Sequence, residues 1–277
     1  MKEKKIFTDI ALHIVMLLLS AVVLIPIYYL IVTSLKTGKE AAISPMALPS
    51  SLNLSGYIEA FKDMQYPRAF VNTLIITGTS VVGLIVSSSM CGYVLNRKEN
   101  YKVTKAIFLL ILSGIMFPYQ MSILGLYKLI RSMDLMNHLL AVIFIDIAVN
   151  LPFATFLMKS FVSTIPLELE SAAKIDGAGV FRTFWTITFP LMKPTIATVA
   201  ILNTLTIWND FMGPLYFLQS REKGVILQEV YRNIGQFSTD WTSLFQMMVL
   251  GILPLLLFYL FMQRFIIGGV MSGSVKG

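Results

Sequence analysis

The chain predicts an all-α membrane protein with six transmembrane helices, and three observations carry that expectation. Of its 277 residues, 56% are hydrophobic and only 13% charged, too few charges to clothe a soluble domain. The mean hydropathy is +0.75. The apolar residues gather into six runs, each near the roughly 20 residues that a helix needs to cross about 30 Å of hydrocarbon. Between the fourth and fifth runs lies one polar stretch, residues 168–194, too charged for lipid and too regular for a linker.

The first run spans about 10–33; it is longer than a signal-peptide core and no small-residue cleavage site follows it, so it reads as a retained helix. The loop after it is interrupted by Pro45, Pro49 and Pro67 and cannot be one helix. Within it, residues 51–62 predict a short surface helix, with Ser55 as N-cap and Tyr57, Ile58 and Phe61 at helical spacing. The second run, about 69–95, holds no charge and carries the lone cysteine, Cys91, so no disulfide or cysteine metal site is expected. The third and fourth runs cover about 106–127 and 139–158. The fourth contains Asp146, four residues from Asn150 and therefore on the same helix face. The fifth, about 195–219, carries Asn203, Trp208, Asn209 and Asp210, and the sixth covers about 241–263. A carboxylate facing lipid is costly, so Asp146 and Asp210 are expected to face protein or water in a polar seam. Pro26, Pro118, Pro152, Pro214 and Pro254 mark bends.

Basic residues in short loops stay on the cytoplasmic side, and Lys2, Lys4, Lys5, Arg97, Lys98, Lys102 and Lys105 flank the inner ends of the early runs if the N-terminus is inside. Both termini and the polar stretch are then cytoplasmic, and residues 220–240 form an outer loop suited either to a partner or to plain solvation. This placement accounts for the net charge of +7 without nucleic acid. His13 and His138 stand alone, and no His, Cys or paired-acid set has catalytic or metal-ligand spacing.

The polar stretch reads as two short helices and a turn. Ser163 or Thr164 can cap the first, Pro166 suits its opening, Glu168 and Glu170 favour its positive end, and Gly177 stops it in the left-handed conformation. The length expected for that helix is about eleven residues. Leu169, Ala172 and Ala173 are expected on one side, the alanines letting another surface come close. Val180, Phe184, Ile187 and Leu191 form the stripe of the second helix until Pro190 and Pro194 break it. The shape suits a docking knob exposed to the cytoplasm.

ESAAKIDGA at 170–178, followed by Phe184, Ile187, Pro190 and Pro194, resembles the EAA motif of permease subunits from type I ATP-binding-cassette importers. Ser171 departs from it, standing where many members carry a second Glu. NLPF at 150–153, WNDF at 208–211 with Pro214 and Leu215, the SLK of the first outer loop and the SGSVKG tail resemble the carbohydrate branch, in particular the six-span relatives of the maltose transporter's second permease. Within it the chain is similar to streptococcal-type permeases for raffinose and multiple sugars. The resemblance implies the MetI-like type I permease fold in the plasma membrane, with cytoplasmic coupling helices over residues 163–194. It implies ATPase coupling through Glu170, Ser171, Ala172, Ala173, Asp176, Gly177, Ala178 and Pro190. The implied partners are a homologous second permease, two ATPase subunits, an extracellular solute-binding protein and a sugar. The loop 220–240 would approach the binding protein and the tail from Ser272 the ATPases.

No GxxxxGK[ST] phosphate loop is present, so this chain is expected to bind no cofactor and to be no enzyme, ATP and Mg residing on the partner ATPases. Trp208, Asn209, Asp210, Asn150, Tyr119 and Gln120 supply the aromatic and hydrogen-bonding groups that grip carbohydrate and are the candidate substrate pathway. The competing class is an ion-coupled secondary transporter using Asp146 and Asp210.

Overall fold

The structure, a computed structural model, describes residues 2–234 and 240–274, with side-chain surroundings over 9–234 and 240–263. The described residues form helices and no strand. In chain order these are α1 (Lys2–Ser34), α2 (Gly38–Ile43), α3 (Ser55–Asp63), α4 (Tyr66–Arg97), α5 (Lys102–Ser113), α6 (Tyr119–Ser132) and α7 (Leu139–Val162). Then follow α8 (Leu167–Ile175), α9 (Val180–Thr183), α10 (Phe189–Leu191), α11 (Lys193–Trp208), α12 (Met212–Phe217), α13 (Ile226–Arg232) and α14 (Trp241–Ser274). Among the described residues, 4 helices are long and apolar enough to cross a bilayer, and 6 spans result if each of two bent pairs counts as one.

Contacts divide the chain into two compact units, Met1–Tyr66 with Glu229–Leu253 and Pro67–Gln228 with Pro254–Gly277. In the first unit, α1 is exposed on every face from Asp9 to Ile27, as expected of a helix apolar all round whose solvent is lipid. Its end is anchored: Val32, Thr33 and Ser34 are buried, Gln246 Nε2 donates to the Ser34 carbonyl at 2.9 Å, and Tyr29 meets Phe245 edge-on at 5.5 Å. Lys36 is wholly buried, with Nζ donating to the carbonyls of Ser44 (2.6 Å) and Pro45 (3.2 Å), which folds the loop back on itself.

That loop holds two helices where one was expected. Thr37 Oγ1 caps α2 by accepting the Glu40 N–H. The N-cap of α3 is Leu54 rather than Ser55, and just ahead of it Asn53 Oδ1 accepts the Gly56 N–H at 3.3 Å and the Ser55 hydroxyl at 2.9 Å. The Ser50 N–H lies 2.6 Å from Glu40 Oε1 and holds that carboxyl below its ordinary range.

In the second unit α4 approaches α7 closely at Gly92. A Cβ at Gly92 would stand 2.7 Å from the Lys159 nitrogen and 2.8 Å from Met158 Cβ. Ser88, Ser89, Ala154 and Thr155 are buried nearby in sequence, small residues of the kind that let membrane helices approach. One apolar cluster gathers Ile76, Val81, Ile130, Val142, Ile145, Ile207 and Phe217. A second gathers Leu84, Tyr93, Met158, Val162, Phe184, Met192 and Val199, and so reaches from the spans into the polar stretch.

Two expected spans are interrupted. The span read over about 106–127 with a bend at Pro118 is broken there: α5 ends in a 3-10 turn (Gly114–Met116), Phe117 is extended ahead of Pro118, and α6 leaves at 106°. Proline disfavours the helical region for its predecessor, while hydropathy carries straight through. The span over 195–219 likewise stops at Trp208, because Asp210 starts a new helix: its carboxylate accepts the N–H groups of Met212 (3.0 Å) and Gly213 (3.1 Å). Ahead of it, Val180–Leu191 meets α11 at 73°.

A side chain at Gly92 must push α4 from α7, so Gly92→Val is expected to destabilise by about 1–3 kcal/mol through overpacking. Gly78→Ala, at a position with nothing within 4 Å, should leave stability unchanged or slightly raised. Thermal unfolding of the purified full chain in one detergent compares the two, and an unshifted Gly92→Val would refute the close approach.

Candidate functional site

The polar stretch forms around a buried carboxylate. Pro166 stands at the N-cap of α8, whose first turn carries Glu168 and Glu170 without a side-chain cap, so the expected Ser163 or Thr164 cap is not made. The helix has 9 residues, shorter than expected. Gly177, at φ +80°, ends it: its N–H bonds to the Lys174 carbonyl at 3.0 Å and the Ala178 N–H to that of Ala173 at 2.9 Å, the paired bonds of a Schellman cap.

Glu170 faces the bundle and is 4% exposed. Its Oε1 accepts Arg97 Nε and pairs with Nη2, both at 2.8 Å, and receives the Thr188 hydroxyl at 3.3 Å; its Oε2 accepts the Tyr93 hydroxyl at 2.9 Å. Arg97 Nη2 also donates to the Ile165 carbonyl at 3.1 Å. One carboxylate thus ties α8 to the end of α4 and to the helix that follows.

This divides the expected docking residues. Glu170 and Ala173 point inward, whereas Ser171, Ala172, Asp176 and Gly177 are exposed and Ala178 and Pro190 half-buried. Leu169 and Ala172 therefore do not share their side with Ala173. The second stripe is corrected too. Residues Phe184–Thr188 form a π turn, where Pro190 has no N–H to return to Thr186 and the helix widens ahead of it. Phe184 is buried against Tyr93, Trp185 and Phe189, while Val180 and Leu191 stay exposed. The outer face carries an apolar set that sequence reasoning left out, with Ile175 87% and Phe181 68% exposed. Tyr93 and Arg97 were missed as partners; lying four apart at the end of one helix, they share a face, which was the available signal.

The interrupted spans make a second feature, a cleft of 280 Å³ lined by Tyr119, Ile145, Asp146, Val149, Asn150, Thr206, Asn209 and Asp210. Tyr119 opens α6 after the Pro118 break, and Asn209 and Asp210 occupy the break after α11. Asn150 Nδ2 donates to the Asp146 carbonyl at 2.8 Å, confirming their shared face. Gly213 sits so tightly on the Asp210 carboxylate that a Cβ there would collide with it. Four of the six expected pathway residues meet here, and two do not. Trp208 is 7% exposed and packs edge-on to Phe70 at 6.1 Å, its bulk drawn into the core, while Gln120 is exposed outside the cleft. Asn203 is buried and bonds its own helix at the Val199 carbonyl.

The stretch after α12 is no plain solvated connector. Asn72 Nδ2 donates to the carbonyls of Glu222 (2.9 Å) and Gly224 (3.0 Å), Thr73 Oγ1 accepts the Ile226 N–H at 3.1 Å, and Val225, Ile226 and Gln228 are buried. Asn137, in the left-handed region at φ 62°, accepts the N–H groups of Gln219 and Ser220. Residues 235–239 of this loop and the side chains of the Ser272–Gly277 tail lie outside the described residues.

The family described as "Binding-protein-dependent transport system inner membrane component" matches residues 85–271. The chain is 35% identical over 254 residues to the melibiose/raffinose/stachyose import permease protein MelC of Bacillus subtilis, covering 91% of each. It is 31% identical to the diacetylchitobiose uptake system permease protein NgcG of Streptomyces coelicolor, over 95% of this chain and 88% of that one. In fold it is similar to a chain of a bacterial ABC transporter that imports the acidic polysaccharide alginate, with a TM-score of 0.83, 21% identity, and 95% of this chain and 98% of that one covered. The chain therefore belongs to the binding-protein-dependent inner-membrane transport components, as a multi-pass ABC importer permease of the carbohydrate group with the MetI-like fold.

Proposed function

We propose that this permease takes up an oligosaccharide delivered by an extracellular binding protein, forming the pathway with a homologous second permease and receiving its driving force from two ATPase subunits docked on residues 163–194. The single observation that supports this most is the Glu170 network: a helix of 9 residues pinned by a buried ion pair to the end of a span, with Ile175 and Phe181 exposed beyond it. A lever must be stiff toward the bundle and adhesive on its outer face, and this one is both. Ser171, Ala172, Asp176, Gly177 and Ala178 then belong to the docking side, Pro190 to the following turn, and Glu170 and Ala173 position that side from behind. ATP-driven closure of the ATPases would shift the docked helix and with it the bundle between inward- and outward-facing states, the coupling energy being the difference in docking between the two. The reading places both termini and this stretch in the cytoplasm, in line with the basic flanks. Galactose-containing oligosaccharides of the raffinose type are the proposed cargo, since MelC is named for such sugars.

Three outcomes are expected. Gly177→Val strains a left-handed position by about 1–3 kcal/mol, so it should abolish ATPase co-purification and uptake while the subunit stays in the membrane; normal assembly and transport in this variant would defeat the docking reading. Glu170→Ala leaves Arg97 without its partner, a loss of about 3–5 kcal/mol, and should loosen α8, seen as faster proteolytic cleavage between 163 and 180 together with weaker ATPase retention. The reconstituted complex should take up labelled oligosaccharides only with its binding protein and ATP, and stimulation by amino acids or phosphate alone would exclude a sugar.

A further inference from the structure

We propose that a second cleft, lined by residues of α5, α7 and the turn after α4, holds the headgroup of an anionic phospholipid, a monoanionic phosphodiester whose acyl chains lie along α5. The cleft measures 210 Å³, and Glu99, Thr104, Lys105, Phe108, Leu109 and Lys159 line it. It shares no residue with the cleft at the helix breaks. Its cations are placed in advance. The Lys159 side chain is only 14% exposed, with Nζ 3.2 Å from Glu99 Oε1 and 4.8 Å from the centre of the Phe108 ring, so it does not trail freely into water. An ammonium carries three donors, and this one carboxylate, itself half exposed, does not use them all. No acid pairs with Lys105 among the described residues.

The lining ammoniums of Lys105 and Lys159 against the one carboxylate of Glu99 leave a single positive charge, which one phosphodiester balances. Thr104 adds a hydroxyl that can donate to a phosphate oxygen. The neighbouring sequence points the same way: over residues 95–113, Glu99 is the lone acid against Arg97, Lys98, Lys102 and Lys105, and Arg97 is spent on Glu170. A tail is called for by a separate observation. Leu109 and Phe108 form the apolar side of the cleft, and Val103, Ile107, Leu109 and Leu110 leave the α5 surface beside it exposed. Because α5 belongs to a bent pair apolar enough to cross a bilayer, those side chains face hydrocarbon. The ammoniums stand at the end of that apolar surface, where headgroup gives way to acyl chain. A soluble anion would use the lysines and leave the α5 face uncovered.

The test places the full chain, with its co-purifying subunits, in nanodiscs containing photoreactive phosphatidylglycerol, phosphatidylethanolamine or phosphatidylcholine, and maps the labelled residues by mass spectrometry. Labelling within residues 99–113 should be at least threefold higher with phosphatidylglycerol than with either zwitterionic lipid. It should fall at least threefold in the Lys105→Gln, Lys159→Gln double variant. Lys105→Glu, an exposed change, should lower it likewise if the double variant does not assemble. Lys128→Gln, exposed on α6 and outside the cleft, should leave it unchanged. A large excess of inorganic phosphate should not compete. Equal labelling by the three lipids, or undiminished labelling in the cleft variants, would overturn the site. An equal fall in Lys128→Gln would reduce the effect to general charge attraction and overturn it too, and displacement by inorganic phosphate would assign the lysines to a soluble anion and overturn the lipid.

Discussion

The carboxylate of Glu170 sits out of water beside the Arg97 guanidinium, and the position of the whole polar stretch follows from that pairing. A buried charge must be matched in full, and here four donors do so: Nε and Nη2 of the guanidinium, one phenol and one hydroxyl. Because these groups come from α4 and from the π turn as well as from α8, moving any one element breaks charge-assisted bonds in the other two. The arrangement ties the stretch to the end of a span. The apolar cluster of Tyr93, Met158, Val162, Phe184 and Met192 continues the same tie without polar atoms.

Helix breaks do for the cleft what the ion pair does for the polar stretch. A continuous helix hides its backbone groups and spaces its polar side chains around its circumference; an interrupted one gathers them at the interruption. Pro118 and the break at Asp210 bring Tyr119, Asn209 and Asp210 into the cleft that Asp146 and Asn150 of α7 also line. The collision that any side chain at Gly213 would meet indicates how closely the turn is drawn around the Asp210 carboxylate.

Run length and composition sufficed to read four of the spans, since crossing a bilayer demands a length that sequence displays directly. Gly177 was legible for a similar reason: a left-handed stop has few chemical solutions, and glycine is the commonest. The bend at Phe117 was legible only through Pro118, and the break at Asn209 was not, because hydropathy averages across both as if the chain ran straight. Nor was the inward turn of Glu170, whose partner Tyr93 lies 77 residues away and whose acid at a helix start suggests exposure to water. Trp208 shows the ambiguity of aromatics: the same ring that can stack on sugar fills a core, and spacing does not separate the two.

The bare surface of α1 bears on how the protein is made. From Asp9 to Ile27 its side chains lean on nothing else in the described chain, so that stretch has no need of later segments to become a stable helix in lipid. It can leave the translocon first and alone. Only its buried end, from Val32 onward, must wait for the chain that carries Gln246, more than two hundred residues later in synthesis. Completion of this unit is therefore timed by the last span rather than by the first.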